Sequence, residues 1–335
     1  MKYMQNKIYH ADVEMAVMHT VRFELFFHKK VLVLGASGLI GSFITDCFLY
    51  ANESMGAGIT VYAVSRDIEQ LKRRFEDKGG KRLELAEADI TSMNFEETFD
   101  YIIHAAGYGH PGAFRENPVE VLLASVVGTW KVLELAKRKD DCRVLYVSSG
   151  EAQEQINHLS ARASYPMGKR AAETLCVSYA AEYRLDTVIV RPCHTFGAYV
   201  TKKDNRATAQ FIGAAARGED IEMYSTGEQV RSFAYVADCV SGILSALACG
   251  ECGTVYGIST GESCSVREFA ERCAEVGKCR VKMHMPNDIE KKETSPIRHQ
   301  IIDNEALRKL GWRSAFSIWD GISRSIQTIH EMDKE

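Results

Sequence analysis

The sequence predicts an α/β protein in which a doubly wound parallel sheet, covered by helices on both faces, is combined with a smaller mixed C-terminal lobe. Three observations support this fold class. Short apolar runs alternate with helical or loop segments from Val31 onward, a glycine-rich turn follows the first run, and the alternation loosens beyond Arg191. The runs that we assign to strands are 31–34, 60–64, 82–85, 101–104, 144–147 and 187–190.

Three segments follow from this pattern. Residues 1–29 carry valine or leucine at fourfold spacing from position 13 to position 25, which predicts a helical extension before the first strand. Residues 30–191 would form the sheet domain. Residues 192–335 would mainly form a substrate-binding lobe that is interleaved with the sheet and ends in a helix near 319–332.

Composition and charge argue against several function classes. The 335 residues are 46% hydrophobic and 26% charged, with a net charge of −4 and no basic stripe that would bind a nucleic acid or an anionic membrane. Acidic residues interrupt the apolar stretches near the start before a signal peptide could form, and no run reaches membrane-spanning length. We therefore expect a cytoplasmic protein with a small-molecule substrate.

The ten cysteines are scattered along the chain, and many lie within apolar helical patterns. This distribution is typical of reduced thiols in the cytoplasm rather than of a disulfide framework. Cys249 and Cys252 have the spacing of two metal ligands, but no second pair follows at the distance of a zinc site. We therefore expect no metal.

The glycines after the first predicted strand indicate a cofactor site. Gly35, Gly38 and Gly41 form a Gly-x-x-Gly-x-x-Gly turn that opens a helix. Such a turn lets a pyrophosphate approach the helix N-terminus, where free amide groups and the helix dipole favour negative charge. The turn therefore predicts a bound dinucleotide, and its other candidate contacts are Ser37, Leu39 and Ile40.

The end of the second predicted strand bears on the choice between NAD and NADP. Ser65 and Arg66 stand where an acidic residue would normally bind the adenine ribose hydroxyls. A hydroxyl and a guanidinium suit a 2′-phosphate better than an acid would, so the pattern favours NADP. The alternative is that Arg66 stacks on the adenine of NAD.

A catalytic group is predicted where the fifth strand ends and the next helix begins. Tyr165 and Lys169 lie one helical turn apart on the same face, and Ser149 ends the strand at the carboxyl edge of the sheet. A phenol with a pKa of about 10 becomes a useful base when a nearby ammonium group favours its phenolate. We expect Tyr165 to accept a proton from a substrate hydroxyl while hydride passes to the nicotinamide, and Lys169 to supply the positive charge. Ser149 would bind the same oxygen, with Ser148 as the alternative.

The glycine spacing, together with the serine and the Tyr-x-x-x-Lys pair, resembles the short-chain dehydrogenase/reductase family. Further stretches resemble its extended branch, the NAD-dependent epimerase/dehydratase enzymes that act on nucleotide-sugars. These stretches are 117–118 with 128–129 and 133–136, 191–197, and 227–238. The resemblance implies a Rossmann dinucleotide-binding domain over residues 30–191, a nucleotide-sugar substrate and a homodimer.

The resemblance also assigns roles to individual residues. The cofactor contacts that it adds to the glycine turn, Ser65 and Arg66 are Asp89, Ile90, His104, Ala105, Ala106, Gly107, Arg191, Pro192 and His194, together with Tyr165 and Lys169. The implied substrate contacts are Ser149, Glu151, Asn205, Arg231 and Arg298.

The stretch after Ser149 departs from the dehydratase pattern. Gly150 stands where dehydratases carry an acid, whereas Glu151 keeps the next position. Glu151 would then remove the C5 proton of a 4-keto sugar. Since elimination of the C6 hydroxyl would lack a proton donor, the sequence favours epimerisation over dehydration. A nucleotide-sugar decarboxylase, an NADP-dependent carbonyl reductase and a non-enzymatic dinucleotide-sensing protein remain as alternatives.

Overall fold

A seven-stranded parallel sheet forms the centre of the protein in a computed structural model that describes residues 3–75, 82–109, 111–155, 157–199, 204–284 and 297–334. Its strands are β1 (Lys30–Leu34), β2 (Thr60–Ser65), β3 (Leu83–Glu87), β4 (Tyr101–His104), β5 (Arg143–Val147), β6 (Asp186–Pro192) and β10 (Val255–Ile258). Their spatial order is β3-β2-β1-β4-β5-β6-β10. The order reverses between β1 and β4, and ligands of such sheets bind at the carboxyl ends of the strands near that reversal. The predicted α/β fold is therefore confirmed.

Helices cover both faces of the sheet, because alternate residues of each strand point to opposite sides. Val31 and Val33 of β1 belong to a core on one face, which includes helices α2 (Leu39–Met55) and α8 (Val236–Cys249). Leu32 and Leu34 belong to the core on the other face, which includes α5 (Pro118–Ala136) and α6 (Ser164–Tyr183). The helices of the sheet domain and of the N-terminal extension are α1 (Lys7–Met18), α2 (Leu39–Met55), α3 (Ile68–Phe75), α4 (Pro111–Glu116), α5 (Pro118–Ala136), α6 (Ser164–Tyr183) and α8 (Val236–Cys249).

The C-terminal lobe is built around β9 (Val230–Tyr235), which pairs with three short strands. β7 (His194–Phe196) and β13 (His299–Gln300) are parallel to it, and β11 (Ser263–Ser265) is antiparallel. A separate parallel pair joins β8 (Ile221–Met223) to β12 (Val281–Met283). The remaining helices of the lobe are α7 (Ala207–Ala216), α9 (Val266–Gly277), α10 (Glu305–Lys309) and α11 (Ile318–Met332).

The N-terminal extension packs into the body of the protein through α1, which contacts α2, α8 and α11. Asp12 of α1 is fully buried, accepts a hydrogen bond of 2.5 Å from the Tyr235 hydroxyl and forms an ion pair with Arg324. Since a buried carboxylate needs such partners, this contact fixes α1 to both β9 and α11. None of the helices in the described ranges has both the length and the apolar composition of a membrane span.

Candidate active site

The glycine turn after β1 lies against the turn after β4. Gly35 has a φ of +86°, and a Cβ atom there would lie 2.6 Å from the carbonyl oxygen of Ala105. A Cβ at Gly41 would lie 2.3 Å from the carbonyl oxygen of Gly35, so the backbone can pack this way only with glycine at both positions. A Cβ at Gly38 would make only an ordinary contact of 3.4 Å among the described residues. The turn therefore leaves room beside Gly38, at the start of α2, and this arrangement fits a dinucleotide pyrophosphate.

Ser37, Ser65 and Arg66 lie together where β1 and β2 end. The hydroxyl oxygens of Ser37 and Ser65 are 2.7 Å apart. Arg66 Nη1 donates to the hydroxyl of Tyr108 at 2.5 Å, and its Cζ lies 4.7 Å from the centroid of the same ring. Tyr108 thus holds the Arg66 guanidinium at the predicted adenosine end of the cofactor site, where its charge also reaches Asp89.

Asp89 and Ile90, which follow β3, have different surroundings. The hydroxyl and the amide of Thr91 donate to the Asp89 carboxylate at 2.5 and 2.8 Å, and the Thr91 hydroxyl, together with the Arg66 charge, lowers the pKa of Asp89. Ile90 is 7% exposed and packs on Gly128 of α5, where a Cβ would lie 2.9 Å from its side chain. Asp89 therefore stands near the predicted adenosine end, whereas the Ile90 side chain is part of the core.

His104 also turns its side chain into the core. It is 1% exposed, and its Nε2 lies 3.1 Å from the Thr129 hydroxyl. Burial, assisted by the positive charge of Lys169, lowers the pKa of His104 to about 3, so the imidazole is neutral. A cofactor contact of this turn would consequently come from the backbone and from residues 105–107.

Lys169 is buried at the carboxyl end of β5. Its Nζ donates to the carbonyl oxygen of Val147 at 2.8 Å and lies 5.8 Å from the ring centroid of Tyr165. Burial lowers the pKa of Lys169 to about 8, although the Glu173 carboxylate opposes that effect. The lysine is therefore fixed one turn below the tyrosine, on the same side of α6.

The phenol of Tyr165 lies between charges of both signs. Burial, which is the largest effect, and the negative charge of Glu151 together raise the pKa of Tyr165 to about 12. The Ser149 hydroxyl and the guanidinium groups of Arg206 and Arg162 lower the pKa of Tyr165. Among the described residues, Ser149, Arg206 and Arg162 therefore favour the phenolate of Tyr165, whereas burial and Glu151 oppose it.

The two serines at the end of β5 have different partners. Ser148 Oγ donates to the Glu173 carboxylate at 2.5 Å, and Arg191 binds both oxygens of the same carboxylate, at 2.9 and 2.6 Å. Ser149 Oγ instead accepts from the Glu151 amide at 3.2 Å and interacts with the phenol of Tyr165. Glu173 is not among the residues predicted from the sequence, although its position one helical turn after Lys169 places it on the same face of α6. Ser148, Glu173 and Arg191 form a buried network behind the site.

We expect Ser149→Ala to lower kcat by about 100-fold, because it removes the predicted donor to the substrate oxygen. Ser148→Ala is the matched control and should retain most of the turnover while lowering Tm, since it leaves the buried Glu173 without one partner. Steady-state kinetics and thermal unfolding of both variants provide the measurement. Loss of turnover in Ser148→Ala alone would transfer the catalytic role to that serine.

On the substrate side, Arg231 is 5% exposed, and its hydrogen bonds go to the backbone. It donates to the carbonyl oxygens of Val230 at 2.9 Å, Arg298 at 3.1 Å and Ile297. The Arg298 side chain is exposed. Arg231 therefore fixes the backbone at 297–298 against β9, and these bonds use three of its five N–H donors. Its contact with substrate stays a prediction.

The predicted contact Asn205 is exposed, whereas its neighbour Arg206 turns inward. Arg206 forms an ion pair with Asp204 at 2.6 Å and donates to the carbonyl oxygen of Thr195 at 3.2 Å. A cleft between the start of α2 and the lobe is lined by Leu39, Phe196, Gly197, Tyr199, Arg206, Thr208, Ala209 and Ile212. Arg206, the neighbour of the predicted substrate contact Asn205, thus lines this cleft at the start of α2.

Glu151 lies in a short turn of 3₁₀ helix that begins directly after Ser149. Its Oε2 accepts from Arg162 Nη2 at 2.6 Å, and the two side chains are 21% and 37% exposed. The predicted cofactor contact His194 begins β7, and its ring lies edge-on to Phe233 with the centroids 5.7 Å apart. The Glu151 carboxylate, which is predicted to act at C5 of the sugar, is therefore partly accessible and forms an ion pair with Arg162.

The cysteines and the other metal-binding residue types form no metal centre in the described ranges, where no group of three or more His, Cys, Asp or Glu could hold an ion. All ten cysteines are free. The thiol of Cys249 faces the Val21 carbonyl at 3.8 Å, and that of Cys252 faces the Leu185 carbonyl at 3.5 Å. The two thiols therefore have separate backbone partners.

Comparison with known proteins gives the family of the chain. UDP-glucuronic acid decarboxylase 6 of Arabidopsis thaliana is 30% identical over 308 residues, which cover 88% of this chain and 87% of that protein. An epimerase of Methanothermobacter thermautotrophicus has the same fold, with a TM-score of 0.80, 21% identity and coverage of 95% of this chain and 96% of that one. So does WbmF of Bordetella bronchiseptica in complex with NAD⁺, with a TM-score of 0.74, 21% identity and coverage of 92% and 98%. Residues 31–259 match the model of the NAD-dependent epimerase/dehydratase family, to which this chain belongs.

Proposed function

We propose that the protein uses a nicotinamide cofactor to oxidise the C4 hydroxyl of a nucleotide-linked sugar, changes the sugar at C5 through the 4-ketone, and then returns the hydride. One observation carries the proposal: Tyr165, Lys169 and Ser149 meet at the carboxyl edge of β5, and Glu151 lies next to them. The first three side chains suit oxidation of an alcohol, and the carboxylate suits a proton transfer at the neighbouring carbon.

In the first step, Tyr165 accepts the proton of the C4 hydroxyl as the C–H electron pair leaves as hydride. Ser149 donates a hydrogen bond to the same oxygen. A bound nicotinamide supplies the hydride acceptor and a positive charge that favours the phenolate. Lys169 is held by the Val147 carbonyl at 2.8 Å, so its position does not depend on the substrate.

In the second step, the ketone at C4 makes the C5 proton acidic, and Glu151 removes it to leave an enolate at C4 and C5. Inversion then requires that a proton from water is added to C5 on the face opposite to Glu151. Dehydration would also need an acid to protonate the leaving C6 hydroxyl. Gly150 cannot supply one, and a Cβ at that position would lie 2.6 Å from Ile302 Cδ1, so this place has no room for a carboxylate side chain without movement of Ile302. This supports epimerisation over dehydration.

A second candidate is decarboxylation of UDP-glucuronate. It is favoured by the same glycine, because a 4-keto uronate loses CO₂ without an acid at that position. The C5–C6 bond breaks, its electrons form an enolate at C4 and C5, and a proton then adds to C5. The similarity to UDP-glucuronic acid decarboxylase 6 of Arabidopsis thaliana supports this candidate.

The proposal is tested by incubating the protein and NAD or NADP with UDP-, GDP-, CDP- and dTDP-linked hexoses and hexuronates. We expect a nucleotide-sugar to be converted with no net consumption of cofactor. Release of CO₂ from a hexuronate would select decarboxylation, and inversion at C5 of a hexose would select epimerisation. Stoichiometric oxidation of NADPH by simple carbonyl compounds, with no conversion of any nucleotide-sugar, would overturn the proposal in favour of a carbonyl reductase.

For the cofactor, we propose that Arg66 favours NADP over NAD. A 2′-phosphate placed beside the Ser37 and Ser65 hydroxyls would gain charged hydrogen bonds from the guanidinium. Arg66→Ala should therefore weaken NADP binding by about tenfold or more while changing NAD binding little. Titration of the cofactor-free protein with both dinucleotides is the measurement. Tighter binding of NAD, unchanged in Arg66→Ala, would show that the arginine does not select the cofactor.

A further inference from the structure

Arg162 contacts both groups to which we assign proton transfers, one directly and one through an aromatic ring. Its Nη2 donates to Glu151 Oε2 at 2.6 Å. Its Cζ lies 5.0 Å from the centroid of the Phe114 ring, within the range of a cation–π interaction. The same ring stacks on Tyr165, with the centroids 4.2 Å apart and the planes 21° from parallel. The Arg162 guanidinium thus links the Glu151 carboxylate, which is proposed to act at C5 of the sugar, to the Tyr165 phenol, which is proposed to act at C4.

The Phe114 ring has a fixed position between the two side chains. It is 3% exposed and belongs to a small apolar cluster with Ala113 and Val121, against which Tyr165 packs. A stacked ring that is buried on its other sides restricts rotation of the phenol, since the core around it is close-packed. Tyr165 therefore depends on Phe114 for the orientation of its ring.

The other arginines near the site, Arg206 and Arg231, have different hydrogen-bond partners from Arg162. Arg206 forms its ion pair with Asp204, and Arg231 donates to backbone carbonyls. Among the described residues, the ion pair of Glu151 is with Arg162. The two charges also act on Tyr165 in opposite directions, because Glu151 disfavours its phenolate and Arg162 favours it. Removal of Arg162 would therefore raise the pKa of Tyr165, because the charge of Glu151 would be less well balanced.

We propose that Arg162 is a positioning residue that holds Glu151 for the step at C5 and, through Phe114, holds the Tyr165 ring for the step at C4. The inference rests on the proposed function, because it uses the roles assigned there to Tyr165 and Glu151. It assigns a task to three further features of the chain: the arginine three residues before the tyrosine, the aromatic residue in α4, and their contact.

The experiment compares Arg162→Gln, Phe114→Leu and the double variant with the wild-type protein, using the substrate that the nucleotide-sugar panel identifies. Single-turnover formation of reduced nicotinamide, followed against pH, reports the C4 step. Exchange of the C5 proton with deuterated solvent, measured relative to the amount of reduced nicotinamide formed, reports the C5 step. Arg272→Gln is the matched control, since Arg272 also pairs with a glutamate, at 2.7 Å, and its side chain is 34% exposed.

Arg162→Gln should slow both steps by about 10- to 100-fold and move the pH profile of the C4 step to higher pH. Phe114→Leu should slow the C4 step alone. In the double variant, the effect of Arg162→Gln on the C4 step should shrink, because the path through the ring is already lost, whereas its effect at C5 should persist. Arg272→Gln should match the wild type.

Wild-type rates of both steps in Arg162→Gln would overturn the inference and leave the proposed function standing. Fully additive effects of the two substitutions on the C4 step would also contradict it, because the arginine would then act without the ring. If the wild type transfers no hydride from any nucleotide-sugar, the proposed function fails and the inference falls with it.

Discussion

Replacement of Tyr165 by phenylalanine is expected to lower turnover by about 10²–10⁴-fold, the range that general-base catalysis contributes. The variant keeps the stacking on Phe114 and loses only the hydroxyl that accepts the substrate proton. Dinucleotide binding should therefore stay within a few-fold of the wild-type value. The measurements are kcat on the confirmed substrate and a fluorescence titration with the cofactor.

The pKa of Tyr165 determines how the rate of hydride transfer depends on pH. Burial raises the pKa of Tyr165 to about 12, so the phenol is protonated at neutral pH in the cofactor-free chain. A base works only when deprotonated, and the rate of hydride transfer in the wild type should therefore rise with pH. Tyr183→Phe is the matched control, because Tyr183 lies at the exposed end of the same helix. Near-normal turnover of Tyr165→Phe would end the assignment of the base.

Glu151→Gln should separate the two steps of the proposed reaction. The amide is nearly isosteric and can still contact Arg162, but it cannot accept the C5 proton. We expect reduced nicotinamide to form transiently as in the wild type, whereas exchange of the C5 proton with deuterated solvent should fall by about 10²–10⁴-fold. Stopped-flow absorbance and NMR of the recovered sugar give the two readouts.

The outcome in the wild type decides how Glu151 is interpreted. Absence of C5 exchange with the true substrate would confine the chemistry to C4, and Glu151 would then be an ordinary partner of Arg162. On decarboxylation, a proton enters C5 only after CO₂ has left. In that case Glu151→Gln should release CO₂ at the normal rate and slow only the later appearance of the pentose product.

The sheet and its cofactor turn could be predicted from the sequence because their signals are local. Gly35, Gly38 and Gly41 immediately follow a short apolar strand, and the pair of Tyr165 and Lys169 lies within one helical turn. Six of the seven strands of the sheet were assigned in this way. The seventh, β10, lies within the irregular pattern of the lobe and joins the sheet only through its pairing with β6.

Residues whose environment depends on distant partners were harder to predict. The sequence predicts a substrate contact for Arg231 but not its hydrogen bonds to two carbonyls that lie 66 and 67 residues away in sequence. Asp12 in the extension is bound by Tyr235 and Arg324, at separations of 223 and 312 residues. No local pattern encodes such pairs, and the burial of an isolated charged residue is against the general rule.

The partners of individual side chains around the site could not be predicted from motifs either. Ser148 and Ser149 are adjacent serines after β5, and only their partners in the fold distinguish them: Ser148 donates to the Glu173 carboxylate, whereas Ser149 contacts the Glu151 amide and the Tyr165 phenol. The link from Arg162 through Phe114 to Tyr165 joins two helices and a turn, so it becomes visible only when the chain is folded.

The central claim, reversible oxidation at C4 by a recycled nicotinamide, is tested most directly with a nucleotide-sugar that carries deuterium at C4. We expect the label to move to the cofactor and to return to C4 of the product, with a slower reaction than for the unlabelled sugar. The total amounts of oxidised and reduced cofactor should be the same before and after turnover. Conversion with no isotope effect and with the label never reaching the nicotinamide would contradict the account, as would accumulation of one reduced, labelled cofactor for every sugar consumed.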